Sequence, residues 1–107
     1  MLPKKNRLDT KTVEKVFKVG AFVNSPSLTL RFLKNKENLE TRISVVVPKS
    51  VAKKATERNV LRRRGYTALG GVLSKFPAGV IGVIVFKKPI LLLETKNEIE
   101  TLLTKIN

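Results

Sequence analysis

Four arginines within seven residues, Arg58, Arg62, Arg63 and Arg64, form the densest group of reactive or binding side chains in the sequence. A guanidinium stays charged at any physiological pH, and its fork of donors matches phosphate oxygens. On a helix Arg58 and Arg62 stand one turn apart, Asn59 and Arg63 form the adjacent row, and Leu61 turns toward the core. Two rows of long donors beside a polar amide suit the phosphates and 2′-hydroxyls of a structured RNA. Glu57 is the one acid within helical reach, so a merely solvated helix face would leave these charges uncompensated. Catalytic chemistry, by contrast, is scarce. The chain has no His and no Cys, which removes zinc fingers, Fe–S clusters, thiol nucleophiles, His-based acid–base catalysis and Ser-His-Asp triads. The carboxylates Asp9, Glu14, Glu37, Glu40, Glu57, Glu94, Glu98 and Glu100 are dispersed, with no pairing that suggests a hydrolase dyad or a Mg²⁺ site in the protein.

Charge and length set the wider bounds. A net charge of +14 over 107 residues implies self-repulsion that a polyanion relieves, with release of condensed counterions. No helix pairs a basic face with bulky apolar residues in the manner of a membrane-surface anchor, so nucleic acid is the better partner. With 42% hydrophobic residues the chain can build one core, and residues 1–107 are read as a single domain. No apolar run reaches the roughly 18–20 residues that span a bilayer. The basic start, Met1-Leu2-Pro3-Lys4-Lys5, has no apolar stretch after it and is not a secretory signal, so a cytoplasmic location is expected. The charge is uneven. Lys49 to Arg64 carries seven basic residues against Glu57, and Met1 to Gly20 carries six against Asp9 and Glu14. From Glu94 to Asn107 the net charge is −1.

Periodicity supplies the elements that must hold these groups. A first helix is expected from about Thr10 to Val19, with Asp9 as N-cap, Leu8 and Val13 as a hydrophobic staple, and Val13, Val16 and Phe17 as its apolar stripe. Gly20 is expected to stop it in a left-handed conformation. Ala21 to Asn24 can be extended. Leu28, Leu30 and Phe32 alternate with Thr29 and Arg31, and Ile43, Val45 and Val47 alternate within Arg42 to Val47. The polar Lys34 to Asn38 segment between these runs predicts an antiparallel hairpin. The second helix begins between Ser50 and Glu57 and runs to about Lys75, unless Gly65, Gly70 and Gly71 kink it or end it early. Phe76-Pro77-Ala78-Gly79 is a turn, and Val80 to Phe86 is apolar throughout, as a central strand covered on both faces must be. A final helix, with Thr95 to Glu98 as its capping box, buries Ile99, Leu102, Leu103 and Ile106. Phe32 and Phe86 are assigned to the core, while Phe22 and Phe76 stay unassigned.

At the arginine-rich helix the sequence resembles the bacterial ribonuclease P protein family. Arg58-Asn59 followed by Arg62-Arg63 matches the family's Arg-Asn motif and basic cluster position by position, with Arg for the more usual Lys at the first basic site. Leu2-Pro3-Lys4, Asn6-Arg7-Leu8, Val16-Phe17 with Gly20, Val47 with Lys49, Lys87-Lys88-Pro89 and a Leu-rich last helix follow in the family's order. The pattern departs at Val60, where a third basic residue is usual, at Gly65 and at Tyr66, which replaces an arginine. Arg64, or stacking by Tyr66, could compensate. Pro48, Ser50, Val13 and Leu28 depart as well. The resemblance implies an α/β (α+β) sandwich of three helices on a mixed four-stranded sheet, in the order α-β-β-β-α-β-α with a left-handed β-α-β crossover. It also implies a non-catalytic protein subunit of an endoribonuclease whose catalyst is RNA, with Mg²⁺ bound mainly by that RNA. The expected partners are the catalytic RNA and the 5′ leader of precursor tRNA, with no membrane and no obligate protein partner. Arg58, Asn59, Arg62, Arg63, Arg64 and Lys49 would contact the RNA, and Phe17 with Arg31 would line a leader cleft. For Phe17 a place in the core is the competing assignment. A general structural RNA-binding protein, such as a ribosomal protein, is the alternative function.

Overall fold

The all-apolar run organises the sheet. The computed structural model describes residues 10–34 and 40–106, with helix α1 at Thr10–Val19, strands β1 at Ala21–Asn24, β2 at Leu28–Lys34 and β3 at Arg42–Val46, helix α2 at Ala55–Gly70, a 3-10 turn at Leu73–Lys75, β4 at Val80–Phe86 and α3 at Leu92–Lys105. The four strands form one sheet in the order β1-β2-β4-β3. β4 is antiparallel to β2 and parallel to β3, so the sheet is mixed. The expected hairpin between β2 and β3 is therefore absent. Those strands lie on either side of β4, because a strand apolar on both sides gains most from the central position, where both faces are covered.

Register defines the two faces. Leu28, Leu30, Phe86, Ile84, Ile43 and Val45 share one, and all six are buried beneath α2 and α3. Phe76 joins this core, and Phe32 packs partly buried against it. On the opposite face Val83 is fully buried, as is Val16 of α1, which lies over β2 and β4.

Several glycines act differently from their sequence expectation. α2 continues through Gly65 and ends at Gly70. A Cβ at Gly65 would stand 2.8 Å from a Val45 methyl and 3.3 Å from the Phe86 ring, so this glycine lets the helix lie close on the sheet. Gly20 is not left-handed; among the described residues only Gly79 has a positive φ, at 79°. What Gly20 provides is space, since a Cβ there would meet the Val16 carbonyl oxygen at 2.5 Å and that of Phe32 at 2.9 Å. Tyr66 is also core. Its hydroxyl accepts a hydrogen bond of 3.2 Å from the backbone N–H of Val45, which satisfies a donor on the sheet's β3 edge.

α3 starts earlier than its capping box suggested. Its N-cap is Leu91, whose backbone N–H donates to Glu94 Oε1 at 3.3 Å. Thr95 lies fully buried within the first turn, with its hydroxyl donating to the Leu91 carbonyl at 2.8 Å. Glu98 is thereby free for a tertiary role. It accepts hydrogen bonds from the Ser25 hydroxyl at 2.5 Å and the Ser27 N–H at 2.7 Å, tying the β1–β2 turn to α3. The expected Asp9 cap, the Leu8 staple, the turn residues after Lys34 and the motif residues before Thr10 lie outside the described residues.

Alanine at Gly65 should gain about 1 kcal/mol of helix propensity yet lose more through overpacking against Val45, whose β-branched side chain has little rotamer freedom. Urea unfolding of G65A should show a net loss of about 1–2 kcal/mol, with part of it recovered in the G65A/V45A double variant. Glu98 offers a pH test. Burial opposes its ionisation, but hydrogen bonds from Ser25 and Ser27 and the charge of Lys88 outweigh this and hold its pKa below the ordinary 4.5. A carboxyl with a depressed folded pKa stabilises the fold above its unfolded value, and the contribution disappears as pH falls through the folded one. Thermal unfolding should therefore lose stability as pH drops below 4.5, and E98Q should flatten that slope.

Candidate nucleic-acid interface

α2 buries Leu61, Gly65, Tyr66, Ala68 and Leu69, which directs the remaining positions outward. Asn59, Arg62 and Arg63 are exposed, Arg58 and Arg64 are half-buried, and Lys49, Lys53 and Lys54 are exposed on the segment leading into the helix. None of the four arginines pairs with a carboxylate among the described residues. The arginines are not equivalent, however. Arg58 Nη1 donates to the carbonyls of Ala52 at 3.0 Å and Lys53 at 2.7 Å, folding back onto the segment before the helix. Arg64 Nη1 donates to the Ile90 carbonyl at 3.0 Å. Arg62 reaches Asn59 Oδ1 at 3.0 Å on the surface. Arg63 makes no hydrogen bond among the described residues and projects freely. The helix thus presents Asn59, Arg62 and Arg63 outward and holds Arg58 and Arg64 against its neighbours. Tyr66, buried at 6% exposure, is not available to stack on a base.

A second surface lies on the other side of the sheet, beside α1. Arg31 stands opposite Phe22 in register, with its guanidinium carbon 5.4 Å from the Phe17 ring centre and 5.7 Å from that of Phe22. It also donates to the Phe17 carbonyl at 3.3 Å, near the negative end of the α1 dipole. Phe17 is 38% exposed and Phe22 58%, so neither belongs to the core. Exposed rings flanking a cation are a platform on which bases can stack. The next row carries Asn24 and Thr29, joined by a 2.6 Å hydrogen bond from the Thr29 hydroxyl, and Lys87 Nζ lies 3.4 Å from the same Asn24 oxygen. Sequence reasoning missed Phe22, Asn24, Thr29 and Lys87 as surface partners. The period-two alternation already sets Thr29 on the face of Arg31, and it would have assigned Phe22 and Asn24 to that face once β1 was paired with β2.

Among the described residues no three His, Cys, Asp or Glu side chains are grouped to hold a metal ion, and no helix is long and apolar enough to cross a membrane.

A small basic α+β protein with an arginine-bearing helix on one side of its sheet and an aromatic–arginine platform on the other matches known structures closely. The ribonuclease P protein of Staphylococcus aureus superimposes with a TM-score of 0.81 at 20% identity, covering 94% of each chain. The ribonuclease P protein of Thermotoga maritima gives a TM-score of 0.81 at 23% identity, covering 94% of this chain and 97% of that one. No curated protein sequence matches. The family model Ribonuclease P matches residues 2–107, and the chain belongs to this family.

The split among the arginines can be tested on the isolated protein. Removing Arg58 takes the donor from one part-buried and one exposed loop carbonyl, so R58A should lower unfolding stability by about 0.5–1.5 kcal/mol. R63A, which breaks no such bond, should stay within about 0.5 kcal/mol of the parent.

Proposed function

We propose that this protein is the non-catalytic subunit of a ribonuclease P ribonucleoprotein, binding the catalytic RNA through α2 and the 5′ leader of precursor tRNA in the cleft beside α1. The observation that carries this reading is the pair of surfaces on opposite sides of one sheet. One is a row of free donors, and the other is a stacking platform with a cation between two rings. The first suits the backbone of a structured RNA, where phosphates and 2′-hydroxyls are the accessible groups. The second suits a single strand, whose unpaired bases can stack on Phe17 and Phe22 while a phosphate meets Arg31.

In this assignment Arg62, Arg63 and Asn59 contact the catalytic RNA directly, with Lys49 adding charge from the segment that leads into the helix. Arg58 acts in two ways, since one nitrogen orders the Ala52–Lys53 segment while the other donors of its fork are uncommitted. Arg64 contributes charge from a fixed position. Phe17, Phe22 and Arg31 line the leader cleft, and Asn24, Thr29 and Lys87 extend its floor. The RNA holds most of the Mg²⁺, which supplies the chemistry for phosphodiester hydrolysis. The protein's own contribution is to screen repulsion between the two RNAs and to position the leader. A cytoplasmic setting follows from that role.

The deciding experiment incubates precursor tRNA at low Mg²⁺ with protein alone, with the cognate catalytic RNA alone, and with both. Cleavage should be slow with RNA alone, fast with both, and absent with protein alone. Cleavage by protein alone would favour a protein nuclease, and failure to stimulate the RNA would favour a general structural RNA-binder. The R62A/R63A variant should weaken binding of the catalytic RNA by about 1–3 kcal/mol and reduce its salt slope by about two. F17A should instead spare that affinity and weaken binding of tRNA that carries a leader.

A further inference from the structure

A groove of about 280 Å³ runs between the first half of α2 and the segment that follows β4, lined by Ala52, Glu57, Val60, Leu61, Arg64 and Pro89. Its helix wall follows from spacing, since positions 57, 60, 61 and 64 fall on one face. Leu61 closes the floor at 4% exposure, while Val60 is 42% exposed on the rim. The ends differ in chemistry. Glu57 and Arg64 are seven residues, or about 10 Å, apart along the axis, and they do not pair with each other. Arg64 is fixed at its end by the bond to the Ile90 carbonyl. One nitrogen is committed there, and the other donors of its fork remain. The groove therefore offers a carboxylate acceptor at one end, a fixed guanidinium donor at the other, and apolar walls between.

Glu57 is otherwise out of place. It is the single acid from Lys49 to Arg64, and beside a phosphate backbone a carboxylate repels. Its position in the first turn of α2 gains from the helix dipole, but that gain does not depend on a groove or on an opposing arginine. We infer that the groove accepts an unpaired guanine of a bound RNA, with Glu57 receiving N–H donors from one edge of the base and Arg64 donating to O6 and N7 on the other. Guanine is the base that presents donors on one edge and two adjacent acceptors on the other. Its flat faces would rest against Val60 and Pro89. An acceptor at one end and a donor at the other suit a polar base rather than an apolar peptide, and the basic surroundings suit the phosphate attached to it. Arg63 lies three residues beyond Val60 on the helix surface, placed to take the phosphate attached to an inserted base. This inference rests on the RNA-binding reading above and adds a base preference to it.

The test uses the full chain and uridine oligomers that carry one guanosine, inosine, 7-deazaguanosine or adenosine, with binding followed by fluorescence anisotropy and by the methyl resonances of Val60 and Leu61. Guanosine should bind about tenfold more tightly than adenosine. Inosine, without the N2 amine, and 7-deazaguanosine, without N7, should each lose part of that preference. E57A and E57Q should abolish it while leaving the salt slope near that of the parent, with only the small loss of thermal stability expected from removing one first-turn carboxylate. The Val60 methyls should shift with the guanosine oligomer and not with uridine alone. A guanosine preference that survives in both Glu57 variants arises elsewhere, at the Phe17–Phe22 platform for example, and overturns the proposal. So does salt-dependent binding without base preference, and so do Val60 shifts that follow protein concentration alone, which would place a second copy of the chain in the groove. Absence of binding to every oligomer at low salt would overturn the RNA-binding reading as well.

Discussion

A strand that is apolar on both sides has to be covered on both sides, and β4 imposes that condition on the rest of the molecule. It takes the centre of the sheet, separates β2 from β3, and requires helices above and below. α2 and α3 share one face because their combined apolar surface covers β3, β4 and β2 together. α1 is a single short helix of ten residues. It can bury Val83 through Val16, but it cannot cover the whole opposite face. The strip left beside it carries Phe22, Asn24, Thr29 and Arg31. The exposed strip is therefore a consequence of covering a two-faced strand with two helices on one side and one on the other.

The same arrangement makes the high charge tolerable. The free arginines stand on the outer surface of α2, and Arg31 stands beyond the far face of the sheet. A helix with its side chains is about 10–12 Å thick, so the two groups are separated by more than the roughly 8 Å Debye length at physiological salt. Each surface is largely screened from the other. Within the helix, repulsion is limited differently. Arg58 and Arg64 give donors to backbone carbonyls of Ala52, Lys53 and Ile90, which places positive charge against the negative ends of peptide dipoles. Arg62 and Arg63 are left facing solvent, where the helix surface offers them no carboxylate.

Local pattern and tertiary packing were legible to different degrees. The bounds of α1 and β1, the apolar face of α3 and the central character of β4 follow from periodicity, because each depends on residues close in sequence. Strand pairing did not follow. A polar connection between two alternating runs reads as a hairpin, and nothing local shows that a strand some 40 residues later will enter between them. The parallel β3–β4 pairing is a non-local choice made by burial. Gly65 differs from its sequence expectation for a related reason. Propensity counts a helical glycine as a weakness, whereas its cause here is the approach of Val45 and Phe86 from another element. An arginine-rich run suggests a stacking role for Tyr66, but helical geometry sets it near Leu69 on the inward side.

On the interface, sequence alone identified the residue types and overlooked how they are divided. Four arginines in seven residues predict a polyanion partner, but only the packing separates those that hold the protein together from those free to bind. Val60 illustrates the gain. As a departure from a basic motif it looks like a lost contact. On the structure it forms the rim of a groove between Glu57 and Arg64. An apolar residue among arginines thus gives the helix an apolar wall between an acid and a fixed guanidinium, at the loss of one positive charge from the motif.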